Sequence, residues 1–527
     1  MGERAFLLEA AALDEVLPLH AALAASRPDG VVDLVPAART VLVRVDPRVL
    51  AVSAARSWAL AAATTTTAET DAATPRIDLD IAYDGADLAD TARLLGVAVD
   101  ELVRRHAEAD WRVAFTGFAP GFGYLVSDDW PFDVPRLASP RTRVPAGSVG
   151  LAGVFSGAYP RDTPGGWRLI GTTAARLFDP DAASPALLAP GTRVRFRTVS
   201  PAAVALPSSS PVANGRPERQ SATDEQVAVE DVGAEAAGRS IRVVESGLLT
   251  TVQDLGREGA GSVGVAVSGA LDRGALRTAN RLVGNPEGAA GLEVTMGGLR
   301  AVAGADHWVA VTGAWGTVRL DGREVDPYQA HAWPAGAELH LDWFAHGARG
   351  YVAVRGGLDA RVALGSRATD LLAGLGPAAV RAGDVVGVRD DAAVPIPVAP
   401  PSAWGAPHDD ELELELAPGP RADWFAPAAL ATLYDAVWTV SNDADRVGVR
   451  LDGPELTRLR TGELASEGMV PGALQVPPRG RPTILLADGP VTGGYPVIAV
   501  VTDESLDLVA QARPGTRIRF RHARPAG

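Results

Sequence analysis

The sequence contains no cysteine, and this absence removes several classes of function. Without cysteine the chain forms no disulfide framework, has no thiol nucleophile and holds no cysteine-ligated zinc or iron–sulfur centre. Lysine is absent as well, so all 49 basic residues are arginine. Schiff-base chemistry and Walker-type phosphate binding both need lysine. Biotin and lipoate are carried on lysine too, so no covalent biotin is possible on this chain.

Positive charge is also scarce, because 64 acidic residues stand against 49 basic ones and the formal net charge is −15. A chain with this charge repels nucleic acid and anionic lipid, so we expect neither as a partner. No unbroken apolar stretch of about 20 residues is present to cross a membrane. The opening MGERAFLLEA has acidic residues where a signal peptide has its apolar core. We therefore expect a cytoplasmic protein.

A length of 527 residues predicts several domains rather than one core. Residues 200–239 are rich in Pro, Ser, Ala and charge, which predicts a disordered linker between two modules. Helical and strand patterns alternate before Pro75, whereas short strand patterns dominate elsewhere. The predicted divisions are a small α/β domain at 1–76, a barrel at 77–199, the linker at 200–239, a second barrel at 240–392, a Pro-rich connection at 393–403 and a third barrel at 404–527.

Three sequence blocks occur twice in the same order and at nearly constant separation. VPAGSV at Val144, GGWRLIG at Gly165 and PGTRVRF at Pro190 return as VPGALQV at Val470, GGYPVIA at Gly493 and PGTRIRF at Pro514. This repeat predicts that both modules end in the same β-barrel. Each glycine pair permits either a tight barrel corner or close approach of the backbone to a ligand, and the pattern leaves both open.

Longer blocks resemble a known enzyme family. FTGFAPGFGYL (115–125), PRTRVPAGSVGLAG (140–153) and YPRDTPGGWRLIGTT (159–173) resemble the B subunit of bacterial ATP-dependent 5-oxoprolinase. Five further blocks resemble the C subunit of the same enzyme: GLLTTVQDLGREG (247–259), SGALDRGALRTANRLVGN (268–285), GLEVTMGG (291–298), SEGMVPGALQVP (466–477) and TGGYPVIAVV (492–501). The resemblance covers both modules and is to a fusion of the B and C subunits.

The resemblance implies an α+β, mainly β fold, with a small α/β N-terminal domain and cyclophilin-like β-barrels in both modules. It also implies cleavage of 5-oxo-L-proline, a small-molecule lactam, to L-glutamate with hydrolysis of ATP. ATP and Mg²⁺ would be the cofactors, and a separate A subunit of 5-oxoprolinase would be the partner that completes the enzyme. An oligomer is compatible with this interpretation.

Two alternatives remain open. A homologous pair forms the carboxyltransferase part of biotin-dependent urea carboxylase, so the chain is alternatively a carboxyltransferase component that uses biotin held by another chain. An older family name suggests a non-enzymatic inhibitor of a histidine kinase. The block PVTGGYP also departs from the usual QTTGGYP at Pro490 and Val491, which leaves the substrate uncertain.

The candidate site residues lie inside these blocks. Without lysine, the positive charge that a transferred phosphoryl group needs must come from arginine, a metal ion or backbone N–H groups, and carboxylates can hold magnesium or act as bases. The predicted catalytic residues are Asp254, Arg257 and Asp488. Substrate or nucleotide binding is predicted for Arg141, Gly165, Gly166, Arg446, Gly493, Gly494 and Tyr495. We expect these residues where the two modules meet, although a surface charge or a turn explains each one singly.

Other patterns carry weaker signals. The stretch 259–264 fits GxGxxG, but no helix pattern opens on it, so a dinucleotide site is disfavoured. His331, His340 and His346 are read as ordinary barrel histidines, and no metal site is assigned. Two short helices are predicted at 87–95 and 100–108, with Asp87 and Asp100 as N-caps; the net charge argues against a DNA-binding pair. A further helix is predicted at 272–283, with Asp272 at its start.

Overall fold

The computed structural model describes residues 1–64, 75–204, 238–397, 405–408, 410–462 and 464–524. Most of the predicted linker at 200–239 and part of the Pro-rich connection at 393–403 lie outside the described residues. Within the described part, no helix is long and apolar enough to cross a membrane.

The N-terminal region pairs a small antiparallel sheet with two helices. Its elements are β1 (Ala5–Glu9), α1 (Val16–Ala25), β2 (Val31–Pro36), β3 (Thr40–Val45) and α2 (Val52–Thr64). The strand order is β1-β3-β2, and both helices pack their apolar residues against the sheet in one core. The strand predicted over Thr40–Val45 is confirmed. The central strand β3 is almost entirely buried because both of its faces are covered: Val41, Val43 and Val45 pack in the core with the helices, and Leu42 packs in a second apolar cluster.

The next region is a barrel, called the first barrel below. Its elements are β4 (Arg76–Ile81), α3 (Leu88–Leu94), α4 (Val99–Glu108), β5 (Trp111–Thr116), β6 (Gly123–Val126), β7 (Arg141–Val144), β8 (Ser148–Ala152), β9 (Phe155–Ala158), β10 (Thr163–Gly165), β11 (Arg168–Thr172) and β12 (Arg193–Thr198). The strand order is β11-β8-β9-β6-β5-β12-β4, and backbone hydrogen bonds between Ala82 and Thr172 join the two ends.

The two predicted helices of this barrel exist, and Asp87 occupies the predicted N-cap position of α3, whereas the cap predicted at Asp100 is wrong. Asp87 makes no capping hydrogen bond to α3, since its carboxylate accepts from Leu169 N and Arg141 instead, each at 2.7 Å. Asp100 lies inside α4, which starts after Ala98. The Asp87 carboxylate therefore binds residues that are distant in sequence, Arg141 and Leu169, instead of the first amides of α3.

The middle region follows the predicted linker. It contains β13 (Ser240–Ser246), β14 (Leu249–Gln253), α5 (Arg273–Leu282), β15 (Gly291–Thr295), β16 (Leu299–Ala303), β17 (His307–Trp315), β18 (Val318–Leu320), β19 (Arg323–Val325), β20 (Ala330–Trp333), β21 (Glu338–Leu341), β22 (His346–Val354), β23 (Leu358–Asp359) and β24 (Val385–Val388). The strands form sheets of seven and five strands around one apolar core. Helix α5 packs on β17 and β22, and Asp272 caps it as predicted by accepting from Ala275 N at 2.8 Å.

The last barrel completes the described chain. Its elements are β25 (Glu411–Pro418), α6 (Pro427–Asp435), β26 (Trp438–Val440), β27 (Gly448–Asp452), β28 (Glu467–Gly468), β29 (Ala473–Gln475), β30 (Thr483–Leu485), β31 (Thr492–Gly493), β32 (Val497–Val501), α7 (Asp503–Gln511) and β33 (Arg517–His522). Seven strands close it in the order β25-β32-β29-β30-β27-β26-β33.

The sequence repeat is confirmed by topology. PGTRVRF and PGTRIRF end in β12 and β33, and each of these strands runs parallel to the first strand of its own barrel. The two strand orders match element by element. The indoles of Trp111 and Trp438 even make the same bond, donating at 2.9 and 3.0 Å to a carbonyl near the end of the preceding helix. The predicted α+β, mainly β fold is therefore confirmed.

Candidate functional site

The stretch 259–264 lies between the two halves of the chain. Gly121 N of the first barrel donates to Val263 O at 2.9 Å, and Gly261 N donates to the carboxylate of Asp33 at 3.1 Å. A short 3₁₀ turn occupies this stretch, and α5 starts well after it. The GxGxxG pattern thus serves close backbone packing between the halves, since side chains would keep them apart.

A second contact joins the N-terminal half to the last barrel. A side chain at Gly117 would overlap the hydroxyl of Thr492, which directly precedes the Gly493–Gly494 pair. Nearby, Ala38 N donates to Ser466 O at 3.0 Å. Residues from the first sheet and from the last barrel also share one buried apolar cluster. The two halves therefore form a tight interface at the edge of the glycine turn.

A buried arginine lies at the centre of the charged groups in the C-terminal half. Arg446 is only 4% exposed and binds Asp488 through two hydrogen bonds of 2.9 and 3.0 Å. Its remaining terminal nitrogen binds Glu293 of the middle region, and its Nη2 also donates to Gly269 O at 2.7 Å. Burial disfavours its charge, yet the two carboxylates outweigh burial and raise the pKa of Arg446 above its ordinary value.

Glu293 is held as an anion by its neighbours. Its second oxygen accepts from Leu271 N at 3.0 Å and from the Tyr351 hydroxyl at 2.7 Å. Burial alone would raise the pKa of Glu293, but Arg446 and Arg349 lower it below its ordinary value. This carboxylate is fully hydrogen-bonded, as a buried anion must be to persist.

Asp488 extends the charged groups towards the loop before α5. Its Oδ1 accepts from the Ser268 hydroxyl at 2.6 Å, and the same hydroxyl lies 3.3 Å from Thr369 O. Ser268 has a φ of 55°, an unusual backbone conformation for a serine. Strain of this kind often accompanies functional sites, where surrounding contacts hold it in place.

Arg257 and Asp370 form the part of the site with unsatisfied polar atoms. The Arg257 guanidinium donates to Ala368 O and, at 3.3 Å, to Ala363 O. Its Nη1 lies 4.0 Å from Asp370 Oδ2, and neither atom makes a hydrogen bond although both are buried. Burial, reinforced by the negative charge of Asp488, raises the pKa of Asp370 to about 6.

Arg161 of the first barrel lies close to this pair of residues. Its Nη1 is also buried without a hydrogen-bond partner and lies close to Gly374, in the loop that follows Asp370. Burial lowers the pKa of Arg161, and Asp370 and then Asp162 partly oppose that shift. Buried polar atoms nearly always make hydrogen bonds. Atoms from both halves that lack one therefore indicate a binding site for a polar ligand or an ordered water molecule. We call Arg161, Arg257, Asp370, Arg446 and Asp488 the interface site.

Three predicted residues, Arg257, Arg446 and Asp488, thus come together. Asp254 lies beside them but is fully engaged, accepting from Gly256 N at 2.8 Å and from Ser366 Oγ and Arg367 N at 2.6 Å. Its carboxylate joins two loops, which favours a positioning role over direct chemistry.

The glycine turn of the first barrel makes its described contacts within that barrel. Arg141 pairs with Asp87 at 2.7 Å and is opposite Gly165 in the β7–β10 hairpin. A side chain at Gly165 would meet the Tyr159 hydroxyl, whereas Gly166 has ordinary space near Pro140. The Arg141 charge is therefore neutralised within the first barrel.

The glycine turn of the last barrel borders the interface between the halves. Gly493 pairs with Glu467 in the short β28–β31 ladder, and Glu467 is bound at 2.8 and 3.0 Å by Arg421. Gly494 follows, and the ring of Tyr495 is 46% exposed. No hydrogen bond between described residues joins this turn to Gly165–Gly166.

Sequence reasoning missed Arg161, Ser268 and Asp370 as site residues. Arg161 and Ser268 lie inside blocks that carry the family resemblance, so that signal was present. Asp370 lies outside those blocks, and its charged neighbours Arg257, Arg446 and Asp488 are all more than about 70 residues away in sequence.

The histidines do not form a metal centre in the described part of the chain. His331 bonds to Asp326 O at 2.7 Å and His340 lies 3.3 Å from Asp342. No group of three His, Asp or Glu among the described residues is arranged to hold a metal ion. The residues therefore offer no ready cage for the Mg²⁺ that the resemblance implies.

Two family models match the chain, and both describe a carboxyltransferase domain. Subdomains C and D match residues 1–188, and subdomains A and B match residues 263–522. The crystal structure of the protein TTHA0988 superposes with a TM-score of 0.81 at 36% identity, covering 98% of this chain and 99% of that one.

Relatives of known name match each half separately. The C subunit of 5-oxoprolinase from Escherichia coli K12 is 37% identical over 284 residues, covering 53% of this chain and 90% of the relative. The B subunit of 5-oxoprolinase from E. coli O157:H7 is 47% identical over 123 residues, covering 23% of this chain and 56% of the relative. Urea amidolyase of Lachancea kluyveri is 30% identical over 307 residues, covering 53% of this chain but 17% of the relative. The chain therefore belongs to the carboxyltransferase-domain family and covers regions of both the B and the C subunits of 5-oxoprolinase.

Proposed function

We propose that this chain is the fused B–C component of an ATP-dependent 5-oxoprolinase. Together with a separate A subunit, it would convert 5-oxo-L-proline, ATP and two water molecules to L-glutamate, ADP and phosphate. The observation that carries the proposal is the interface site, where Asp370 of the C-like half interacts both with Arg161 of the B-like half and with Arg257 of its own half. Unpaired donors and an unpaired carboxylate oxygen suit a small substrate that bears a carboxylate and an amide.

The residues have distinct roles in this proposal. Arg161 and Arg257 bind the carboxylate and the lactam oxygen of the substrate. Asp370, with a pKa near 6, accepts a proton from the attacking water near neutral pH and returns it to the leaving nitrogen as the C–N bond breaks. Asp488 and Arg446 fix Ser268 and the surrounding loop, and Asp254 positions the loop that carries Arg257.

ATP would transfer its γ-phosphoryl group to the amide oxygen and leave as ADP. After the first water has added and the C–N bond has broken, a second water would hydrolyse the resulting acyl phosphate to the carboxylate and phosphate. The described residues form no ready Mg²⁺ cage, so no residue of this chain is assigned to the nucleotide or its metal. A separate A subunit would complete the enzyme, because the relatives of each half are named as single subunits of 5-oxoprolinase.

The test is reconstitution with the purified A subunit. We expect no glutamate from 5-oxoproline and ATP with this chain alone, and equal amounts of glutamate and ADP after the A subunit is added. Arg161→Gln should reduce turnover of the complex, whereas Arg104→Gln should not, because Arg104 lies on the exposed face of α4. Robust turnover by the isolated chain, or none by the complex, would contradict the proposal.

A carboxyltransferase component is the second candidate. The matching family models carry that description, and a urea amidolyase is among the relatives. Since this chain has no lysine, the biotin would be attached to another protein. Consumption of carboxybiotin in the presence of urea or another amide, with neither ATP nor the A subunit of 5-oxoprolinase, would favour this function over the first.

A further inference from the structure

A separate cavity lies between the N-terminal strand segment, the start of α5 and the last barrel. Its volume is about 220 Å³. Four arginines from three parts of the chain line it: Arg4 precedes β1, Arg44 lies on β3, and Arg273 and Arg277 lie one turn apart on the same face of α5. We call this space the arginine cavity. Ser268 lines this cavity and donates to Asp488 of the interface site at 2.6 Å, so the two are neighbours.

Three of these arginines have weak partners. Arg44 has its nearest carboxylate oxygen, from Asp33, at 3.8 Å, and Arg277 lies 3.7 Å from Glu287. Arg273 donates only a long bond of 3.3 Å to Leu255 O. The Nε atom of Arg277 is buried and has no hydrogen-bond partner. Arginine offers five donors in a planar fork that matches carboxylate and phosphate oxygens, and most of those donors are unused here.

The acidic groups of the cavity are largely committed to other partners. Asp507 accepts from Arg273 N at 3.0 Å and from Gly274 N at 3.1 Å, and it thereby satisfies the first amides of α5. Asp503 pairs with Arg4. Glu3 and Glu504 also line the cavity but are solvent-exposed. Among the described residues, the side chains of Arg44, Arg273 and Arg277 therefore have no carboxylate oxygen within hydrogen-bond distance.

The arginines also repel each other. Burial lowers the pKa of Arg273, and the charges of Arg277 and Arg4 lower it further. Glu258 opposes this shift, and Arg44 adds a smaller lowering effect. Clustered like charges in a partly buried place are costly unless a counter-charge neutralises them. The protein keeps these arginines within one cavity, which is the arrangement that an anionic ligand stabilises.

We propose that the arginine cavity binds a small oxyanion, a phosphate or carboxylate group, between Arg44, Arg273 and Arg277. The volume of about 220 Å³ lies below the range of roughly 300–1,000 Å³ typical for drug-sized ligands, which favours a small anion over a whole nucleotide. This binding site does not depend on the 5-oxoprolinase reaction, and it holds whichever reaction the interface site performs.

The test is titration of the full chain with inorganic phosphate and, separately, with acetate, by calorimetry at pH 7.5 in a buffer of low anion content. We expect saturable binding of at least one of them below roughly 10 mM. Arg277→Gln should weaken it at least about tenfold, as expected for loss of a charge-assisted contact. The matched control is Arg281→Gln, one turn further along α5, where the side chain pairs with Glu287 at 2.9 Å and does not line the cavity.

Each outcome has one meaning. Binding of phosphate alone identifies a phosphate-bearing ligand, and binding of acetate identifies a carboxylate. Arg44→Gln, on a different element, should weaken binding in the same way, so the test survives if Arg277→Gln unfolds α5. Failure of both anions to bind, or equal weakening by Arg281→Gln, would overturn the proposal.

Discussion

Arg446 of the last barrel binds Glu293 of the middle region, and both side chains are at least 95% buried. The two residues are 153 positions apart in sequence. The pair therefore ties the two parts of the C-terminal half together through charge as well as through packing. Such a pair is costly to bury but far more costly to break, because the remaining partner is left charged and unpaired.

The first prediction concerns this pair. Arg446→Met should lower the free energy of unfolding by about 3–5 kcal/mol, because Glu293 and Asp488 both lose their counter-charge. Arg450→Met is the matched control, since Arg450 is 62% exposed and its pairing with Asp443 at 3.2 Å should contribute less than about 1 kcal/mol. Thermal and denaturant unfolding measure both. Equal effects of the two changes would show that the Arg446 pair is not a central stabilising contact.

The second prediction concerns substrate binding at the interface site. In the complete complex, Arg161→Gln should lower kcat/KM by roughly tenfold or more, mainly through a higher KM, because it removes a charge that binds the substrate. The melting temperature should change little, since Nη1 of Arg161 makes no hydrogen bond that the substitution would break. Combining it with Asp370→Asn should give a non-additive effect, as expected of residues in one site. Additive losses would place Arg161 outside the site.

The third prediction is a pH dependence of stability. Burial raises the pKa of Asp370 from 3.8 to about 6, so the folded protein holds this proton more tightly than the unfolded chain. The stabilisation is present in full below about pH 4 and is lost as the pH rises through about 6. Wild type should therefore lose about 1–3 kcal/mol more than Asp370→Asn between pH 4.5 and 7.5. Parallel stability curves for the two proteins would contradict the assignment.

Local patterns explain which parts of the fold were predictable. The strand Thr40–Val45 and the helix starting after Asp272 follow from side-chain periodicity and one capping carboxylate, and both signals lie within a few residues. The repeat was equally predictable, because β12 and β33 have nearly identical sequences at equivalent positions.

The errors and omissions have a common physical cause. Asp87 carries a capping signal, yet its carboxylate binds Arg141, 54 residues away. Asp370 lies beside Arg257, which is 113 positions away in sequence, and no local sequence pattern predicts this contact. The arginine cavity likewise takes residues from both ends of the chain. Contacts that depend on tertiary packing are therefore the part that sequence reasoning did not supply.

The fourth prediction concerns the association of the two halves. Cleavage at a protease site introduced between residues 204 and 238 should leave the halves bound together, because backbone hydrogen bonds and a shared apolar cluster join them. Gly117→Ala should weaken this association by at least about tenfold, since its methyl group would overlap Thr492 and the packed interface must open to accept it. Gly462→Ala is the control, because nothing lies within 4 Å of a methyl group there. Size-exclusion chromatography of the cleaved protein at decreasing concentration measures the difference. If the cleaved wild-type halves separate at micromolar concentration, the contacts between them are too weak to hold the interface site without the connecting chain.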